Sequence, residues 1–214
     1  MPFVSGKSLE KTSRQEDIVI TEDLYRRIPT ESNLAAEASA LHSLAGGLNG
    51  SPQQLLVLLM EQALILCKGH TAGLSVLREN QSGEQCFCWD AMAGVLSQHV
   101  GGQTPRDFSP CGVTLNLGSP QLFKYPGRFF HYFLDVDPQI VEGLVVPVFV
   151  NRQGRGTIWI ATHDEGHHFT LTESKSMNSL ASFTAAAIDL MERDANHSRP
   201  VGHKARTPAA RRSQ

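Results

Sequence analysis

The sequence has no apolar run near the roughly 18 residues that a membrane-spanning helix needs. Its longest, Leu55 to Met60, is interrupted by Glu61 and Gln62. The opening MPFVSGKSLEKTSRQED holds no apolar h-region, so nothing marks the chain for secretion. Cysteine is scarce: Cys67, Cys86, Cys88 and Cys111 in 214 residues do not make a disulfide scaffold. These absences read together as a soluble, cytoplasmic chain with reduced thiols and no membrane partner. An excess of charge of one sign is also lacking. Nineteen basic against 21 acidic side chains exclude a histone-like polycation, and 41% hydrophobic residues exclude a wholly disordered chain. No internal repeat is present. The length suits one buried domain with tails rather than two ordinary domains.

Residues 1–20 read as a mobile N-terminal arm, polar and without period to about residue 17. At the other end, residues 195–214 read as a basic disordered tail carrying Arg199, Lys204, Arg206, Arg211 and Arg212 with no acid. Taking those five charges from the net of −2 leaves −7 on residues 1–194. Five spread charges read as a solvated end, so no specific nucleic-acid binding is expected.

Between the tails, Leu34, Leu41, Leu44 and Leu48 return to one face of a helix over 32–48, which Gly46-Gly47 and Asn49-Gly50 stop. Ser51-Pro52 caps and starts a second helix, strongly apolar from Leu55 to Cys67 and ended by Lys68-Gly69. Two strands are predicted over Ala72–Arg78 and Gln85–Met92, separated by a turn at 79–83. Residues 93–141 form a long irregular excursion, with a short helix after Ser109-Pro110 running through Cys111 to Leu115. A hairpin follows, Gly143–Val150 and Gly156–His163, around Asn151-Arg152-Gln153-Gly154. Thr170 and Thr172 cap a closing helix from Glu173 to about Arg193, with Leu180, Phe183, Ala187 and Leu190 inward. Strand runs bracketed by helices mean an antiparallel sheet, α+β in class.

This order, together with TAGLSVLRE, TPRDFSPCGVTL, EGLVVPVFVNRQGRGTIWIATHD and FTLTESKSMNSLASFTAAAIDL, resembles the GAF domain, a PAS-related sensory module. The resemblance covers residues 30–193. It implies N- and C-terminal helices on one face of the sheet and an excursion covering a pocket on the other. PRDFSPCG with the downstream PQLF and EGLVVP is similar to the GAF domains of bacterial sensor histidine kinases. Neither a phosphoacceptor segment nor an ATP-binding module is found, so a stand-alone sensor or the sensory piece of a longer protein is expected. The resemblance further implies a homodimer built on the first and last helices, signalling to a kinase or other output partner in a two-component type of pathway. The leucine stripes suit such a bundle and equally suit packing on the sheet.

The candidate pocket comprises Trp89, Arg106, Asp107, Phe108, Cys111, Phe130, His131, Tyr132, Glu142 and Trp159, aromatics with a few polar specifiers. Arg106 would meet a carboxylate or phosphate of an anionic ligand. Cys111, in the first turn of a helix and near Arg106, is placed either to hold a thiolate or to fill space under a loop. Two uses of it follow from the resemblance. Free methionine sulfoxide reductases of this fold carry a cysteine in a segment similar to Pro110-Cys111-Gly112, but their further cysteine falls here on Asp135. Phytochrome-like domains attach a bilin through a cysteine followed by His, where this chain has Gly112, and the Asp-Ile-Pro segment is missing. The Asn-Lys…Phe…Asp-Glu pattern of cyclic-nucleotide GAF domains is missing as well. The reading is therefore a non-enzymatic sensor of a small ligand or of redox state, with the ligand unknown; the alternatives are a thiol-dependent reductase using Cys111 and a ligand-free dimerisation module whose pocket its own side chains fill. Cys86 and Cys88 share one face of a strand and read as core residues, because their spacing is not that of a zinc or redox loop. His163, His167 and His168 with Asp164 and Glu165 offer the donors of a Zn, Ni or Fe site, but a loop of this composition reads as solvated and no metal is expected.

Overall fold

Ser51 caps a helix as its position before Pro52 requires. Its hydroxyl accepts from the Gln54 amide at 3.3 Å, and Gln54 Oε1 accepts from the Ser51 amide at 2.9 Å. That helix is the fourth in a computed structural model that describes residues 13–197. The elements are α1 (Gln15–Ile18), α2 (Asp23–Arg26), α3 (Leu34–Gly47), α4 (Pro52–Cys67), β1 (Thr71–Glu79) and β2 (Gln85–Gly94). They continue with β3 (Gln103–Pro105), α5 (Pro110–Leu117), β4 (Gln121–Lys124), β5 (Glu142–Val150), β6 (Gln153–Thr162) and α6 (Leu171–His197). The strands form one antiparallel sheet in the order β3-β2-β1-β6-β5-β4.

Helices α3, α4 and α6 cover one face of the sheet. Leu44, Leu59, Leu74, Ile158, Met177 and Leu180 are among the side chains buried there. Each fully buried side chain of this size contributes about 1.5–3 kcal/mol of transfer free energy. The segment 93–141 covers the opposite face, where Phe87, Cys111, Phe123, Phe130 and Val145 are buried. The α+β architecture and the division of helices and excursion between two faces are as expected.

Several local expectations change. The excursion contains two strands, β3 and β4, too short for an alternation to show in the sequence. The β5–β6 turn has two residues rather than four. Asn151 and Arg152 both take positive φ (51° and 65°), and Val150 pairs directly with Gln153. The closing helix begins at Leu171, because Thr170 is its capping residue: its hydroxyl accepts from the Thr172 amide, and its amide and hydroxyl both donate to the Glu173 carboxylate. Burial opposes a charge on Glu173, but the hydroxyls of Thr170 and Thr30 outweigh it and hold this carboxyl below its ordinary pKa. The leucine stripe of α3 is split. Leu44 is buried in the helix-side core, where α3 packs on α4, whereas Leu34, Leu41 and Leu48, seven residues apart, are exposed. On α6, Leu190 is exposed as well, one helical turn beyond Ala187, which is buried.

The arm assigned to 1–20 is corrected over its last residues; residues 1–12 lie outside the described ones. Ile18 is buried in the excursion-side core, Val19 bridges to Phe123, and Leu24 enters the helix-side core. Two apolar residues six apart reach both cores, a pattern too sparse for periodicity to register. The tail assigned to 195–214 lies outside the described residues from 198 onward, and α6 runs to His197.

Candidate functional site

Between the sheet and the excursion lies a cavity of about 60 Å³. β2 contributes Trp89 and Met92 to its wall, β5 contributes Val145, β6 contributes Trp159, and Cys111 on α5 and Thr104 on β3 complete the side facing them. The two indoles meet edge to face, with ring centroids 6.4 Å apart. Each rests on a glycine. A Cβ at Gly73 would stand 2.2 Å from Trp159 Cζ2, and one at Gly102 would stand 2.7 Å from Trp89 Cε3. These two glycines therefore place the rings. Trp159 is further fixed by Nε1–H donating to Ser75 Oγ at 2.9 Å.

Beside the cavity the excursion side gathers hydroxyls without partners. Thr104 Oγ1 and Tyr132 OH are buried and make no hydrogen bond. An unsatisfied buried hydroxyl costs about 1–3 kcal/mol, and Thr104 is the one that lines the cavity directly. Burial pushes the Tyr132 phenol up, and the neighbouring Cys111 adds to this.

Cys111 sits where the sequence places it, under a Ser109 cap that accepts from the Gly112 amide at 3.1 Å. Its ionisation does not follow the expectation of a thiolate. Burial pushes the thiol up, and the Thr157 and Ser75 hydroxyls oppose this only in part. Arg106 does not help, because it faces elsewhere. Its Nη2 donates to Asn116 Oδ1 at 2.6 Å, and its guanidinium lies over the Phe87 ring, 5.8 Å from the centroid.

Of the ten residues expected to form the pocket, Trp89, Cys111 and Trp159 line the cavity, and Tyr132 approaches Cys111 from behind. Phe130 is buried in the adjoining core. The remaining five are not at the cavity. Arg106, Asp107 and Phe108 line a surface groove at the β2–β3 edge, with the Asp107 side chain almost wholly exposed. His131 is exposed. Glu142 is completely buried, but as an anchor: Arg27 donates to both of its oxygens at 2.7 and 2.9 Å, and the Phe169 amide donates at 2.8 Å. The sequence offers it as a polar specifier of the pocket; the N-terminal segment, which supplies Arg27, makes it structural. Sequence reasoning missed Met92, Thr104 and Val145. The outward-inward alternation of β5 could have found Val145. Met92 follows a bulge, where the register of β2 against β1 shifts and the alternation breaks.

The loop after β6 is solvated in part: Asp164, Glu165 and His168 are exposed, whereas His163 and His167 are half-buried. His163 Nδ1 lies 2.9 Å from the Gln139 carbonyl, which can only accept, so the proton is on Nδ1 and Nε2 receives the Thr71 hydroxyl at 2.8 Å. Its amide donates to His70 Nδ1 at 3.0 Å, and the two rings stack with centroids 5.9 Å apart. Burial pushes the His163 pKa down. His168 instead faces Glu142, at 3.3 Å. Among the described residues, no group of three or more His, Cys, Asp or Glu is arranged to hold a metal ion. Among them, too, no helix is long and apolar enough to cross a membrane.

No protein-family model matches this sequence, and no curated protein matches it significantly. Solved structures do match. The GAF domain of a phosphoenolpyruvate-protein phosphotransferase from Coxiella burnetii is 18% identical, with a TM-score of 0.62 over 77% of this chain and 99% of that one. The GAF-B domain of DevS from Mycobacterium smegmatis is 17% identical, with a TM-score of 0.55 over 69% of this chain and all of the other. The phycoerythrobilin-bound GAF domain of a cyanobacterial phytochrome is 10% identical, with a TM-score of 0.59 over 78% and 100%. Identities this low establish architecture and leave the ligand open. The chain has the GAF fold.

Proposed function

We propose that this GAF-fold chain is a sensory or regulatory domain that takes up one small, uncharged, mainly apolar ligand between Trp89, Trp159 and Cys111. The observation that carries this is the cavity wall. It holds no Asp, Glu, Lys or Arg; besides the His99 imidazole at its edge, its polar atoms belong to groups such as the unpartnered Thr104 hydroxyl and the protonated Cys111 thiol. A carboxylate or phosphate would be desolvated there with no fixed counter-charge and only His99 to offset it, which is costly. A flat apolar body with one hydrogen-bonding group would fill the cavity and satisfy Thr104. About 60 Å³ is far below the several hundred Å³ of a drug-sized site, so a bilin does not fit this state. The thiol-dependent reductase reading loses support for a related reason. A buried, protonated Cys111 is not the ionised, accessible sulfur such an enzyme attacks with.

Output would run through a homodimer. Exposed Leu34, Leu41 and Leu48 repeat every seven residues on α3, and Leu190 is exposed on α6, which suits pairing of helices between two copies. The cavity wall and these helices share the sheet, so a ligand that favours one arrangement of the excursion can bias the dimer by its difference in affinity for the two states, and by no more. A kinase or another signalling protein would read the result, in two-component signalling in a bacterial cytoplasm.

Native mass spectrometry of the gently purified chain tests the reading. The expected result is a dimer with one small neutral adduct per chain. Gly143 lines the cavity, and a Cβ there meets only Ile140 Cγ2, at 3.9 Å, so Gly143→Leu fills the space and should abolish the adduct while the dimer persists. A wild type without adduct, whose melting temperature no panel of neutral aromatic and aliphatic compounds raises, would overturn it.

A further inference from the structure

Strand β2 presents Phe87 and Trp89 to the excursion and two thiols to the opposite face. Cys86 Sγ and Cys88 Sγ are 3.9 Å apart, and Cys86 Sγ is 3.7 Å from Gln103 Oε1 on β3. Both are free cysteines. The expectation that both are core residues holds only for Cys86, since Cys88 is half-buried. Cys86 also borders the open groove of about 740 Å³ that includes Asn80, Glu84, Gln103 and Arg106, so the pair is reachable from solvent.

We propose that Cys86 and Cys88 chelate one soft, thiophilic cation of the Cu(I) type, with the Gln103 side-chain carbonyl alongside. Two sulfurs bound at about 2.3 Å to one ion stand about 4.0 Å apart at the roughly 120° angle of a trigonal site, so the observed spacing needs almost no movement. A disulfide would need about 2.05 Å. β2 is held on both sides, with Cys88 opposite Val76 and Gln103 and Cys86 opposite Arg78 and Pro105, and this opposes bringing the sulfurs together. The donor set selects the ion. Mg(II) and Ca(II) take oxygen ligands, and a structural Zn(II) site takes four donors. No third or fourth His, Cys, Asp or Glu completes such a group among the described residues. Soft monovalent ions are content with thiolate sulfur.

The chemistry balances without electron transfer. Each S–H bond breaks, its proton passes to solvent, and a sulfur–metal bond forms. Burial, together with its hydrogen bond to Cys86, pushes the Cys88 thiol up, so Cys88 keeps its proton until an ion displaces it. Two thiolates on a monovalent ion leave one negative charge. The Arg78 guanidinium acts on Cys88 in the direction that favours a thiolate, and Asp90, with which it is paired, acts against it.

The test is an anaerobic titration of the reduced, full-length chain with Cu(I) in the presence of the chelator bathocuproine disulfonate, read by native mass spectrometry. One copper per chain is expected in the wild type, in Cys67→Ser and in Cys111→Ser, and none in Cys86→Ser or Cys88→Ser. Circular dichroism checks folding, and because Cys88 is half-buried, Cys88→Ser decides the matter if Cys86→Ser fails to fold. A wild type that yields all its copper to the chelator overturns the proposal, and so does a copper that survives Cys88→Ser.

Discussion

The two faces of the sheet are packed by different chemistry. On the helix side, 25 buried residues form one cluster in which Phe169 is the only aromatic; the rest are aliphatic side chains, methionines and a cysteine. On the excursion side only six residues are buried in a cluster, three of them phenylalanines, with Phe129, Tyr132, Phe133 and Trp159 packed partly buried around them. Branched aliphatic side chains on regular helices interdigitate to crystal-like density. Large rings on an irregular chain do not tile so well, and here they leave a cavity and several buried hydroxyls without partners. One face is therefore built for stability, and the other carries the imperfections that a ligand could complete.

The contrast can be broken first at the link between the faces. Glu142→Ala leaves Arg27 without its carboxylate and releases the segment whose Ile18 and Leu24 enter the two cores. Removing one partner of a buried ion pair costs about 3–5 kcal/mol, and urea unfolding should show a loss of that size. Next is the helix-side core itself. Leu59 is completely buried on α4, so Leu59→Ala should cost about 2–5 kcal/mol. Any ligand-dependent signal from Trp159 should persist in the folded fraction of that variant.

A smaller effect follows from pH. His163 is held neutral by burial, with its folded-state pKa below the ordinary value of 6.5. The unfolded chain takes up a proton that the folded chain resists. The stability involved is complete above about pH 6.5 and is lost as pH falls through the folded-state value. Melting temperatures measured from pH 7.5 down to 5 should decline, and less steeply in His163→Gln. The smallest effect has the opposite sign. Thr104→Val removes an unpartnered hydroxyl at nearly constant shape and should stabilise the free protein by about 1 kcal/mol, while weakening the ligand that Thr104 anchors. Equal or lower stability in Thr104→Val would mean that the hydroxyl is satisfied, by water for example, and would narrow the difference between the faces.

Much of the fold was legible because its signals are local. The Ser51-Pro52 and Ser109-Pro110 caps, the apolar run of α4 and the strand segments around 71–94 and 142–162, set off by their turns, each depend on neighbours a few residues away. The candidate site was legible in part. Trp89, Cys111 and Trp159 were found as unusual residue types on predicted elements, and they do converge. Arg106 and Glu142 were placed wrongly because their partners, Asn116 and Arg27, are chosen by three-dimensional packing, the second across 115 residues of chain.

By itself, the amino-acid sequence determined the α+β class, the helix starts and stops, and where the longer strands lie, because backbone geometry and turn chemistry are fixed by residues close in the chain. Tertiary structure alone decided the rest. It selected which leucines of α3 are covered, turned Arg106 away from the cavity, and brought Thr104 and Met92 to its wall. It also set burial against the helix-terminus effect at Cys111, and burial prevailed. The cost of desolvating a charge depends on everything packed around it, and no run of neighbouring residues encodes that.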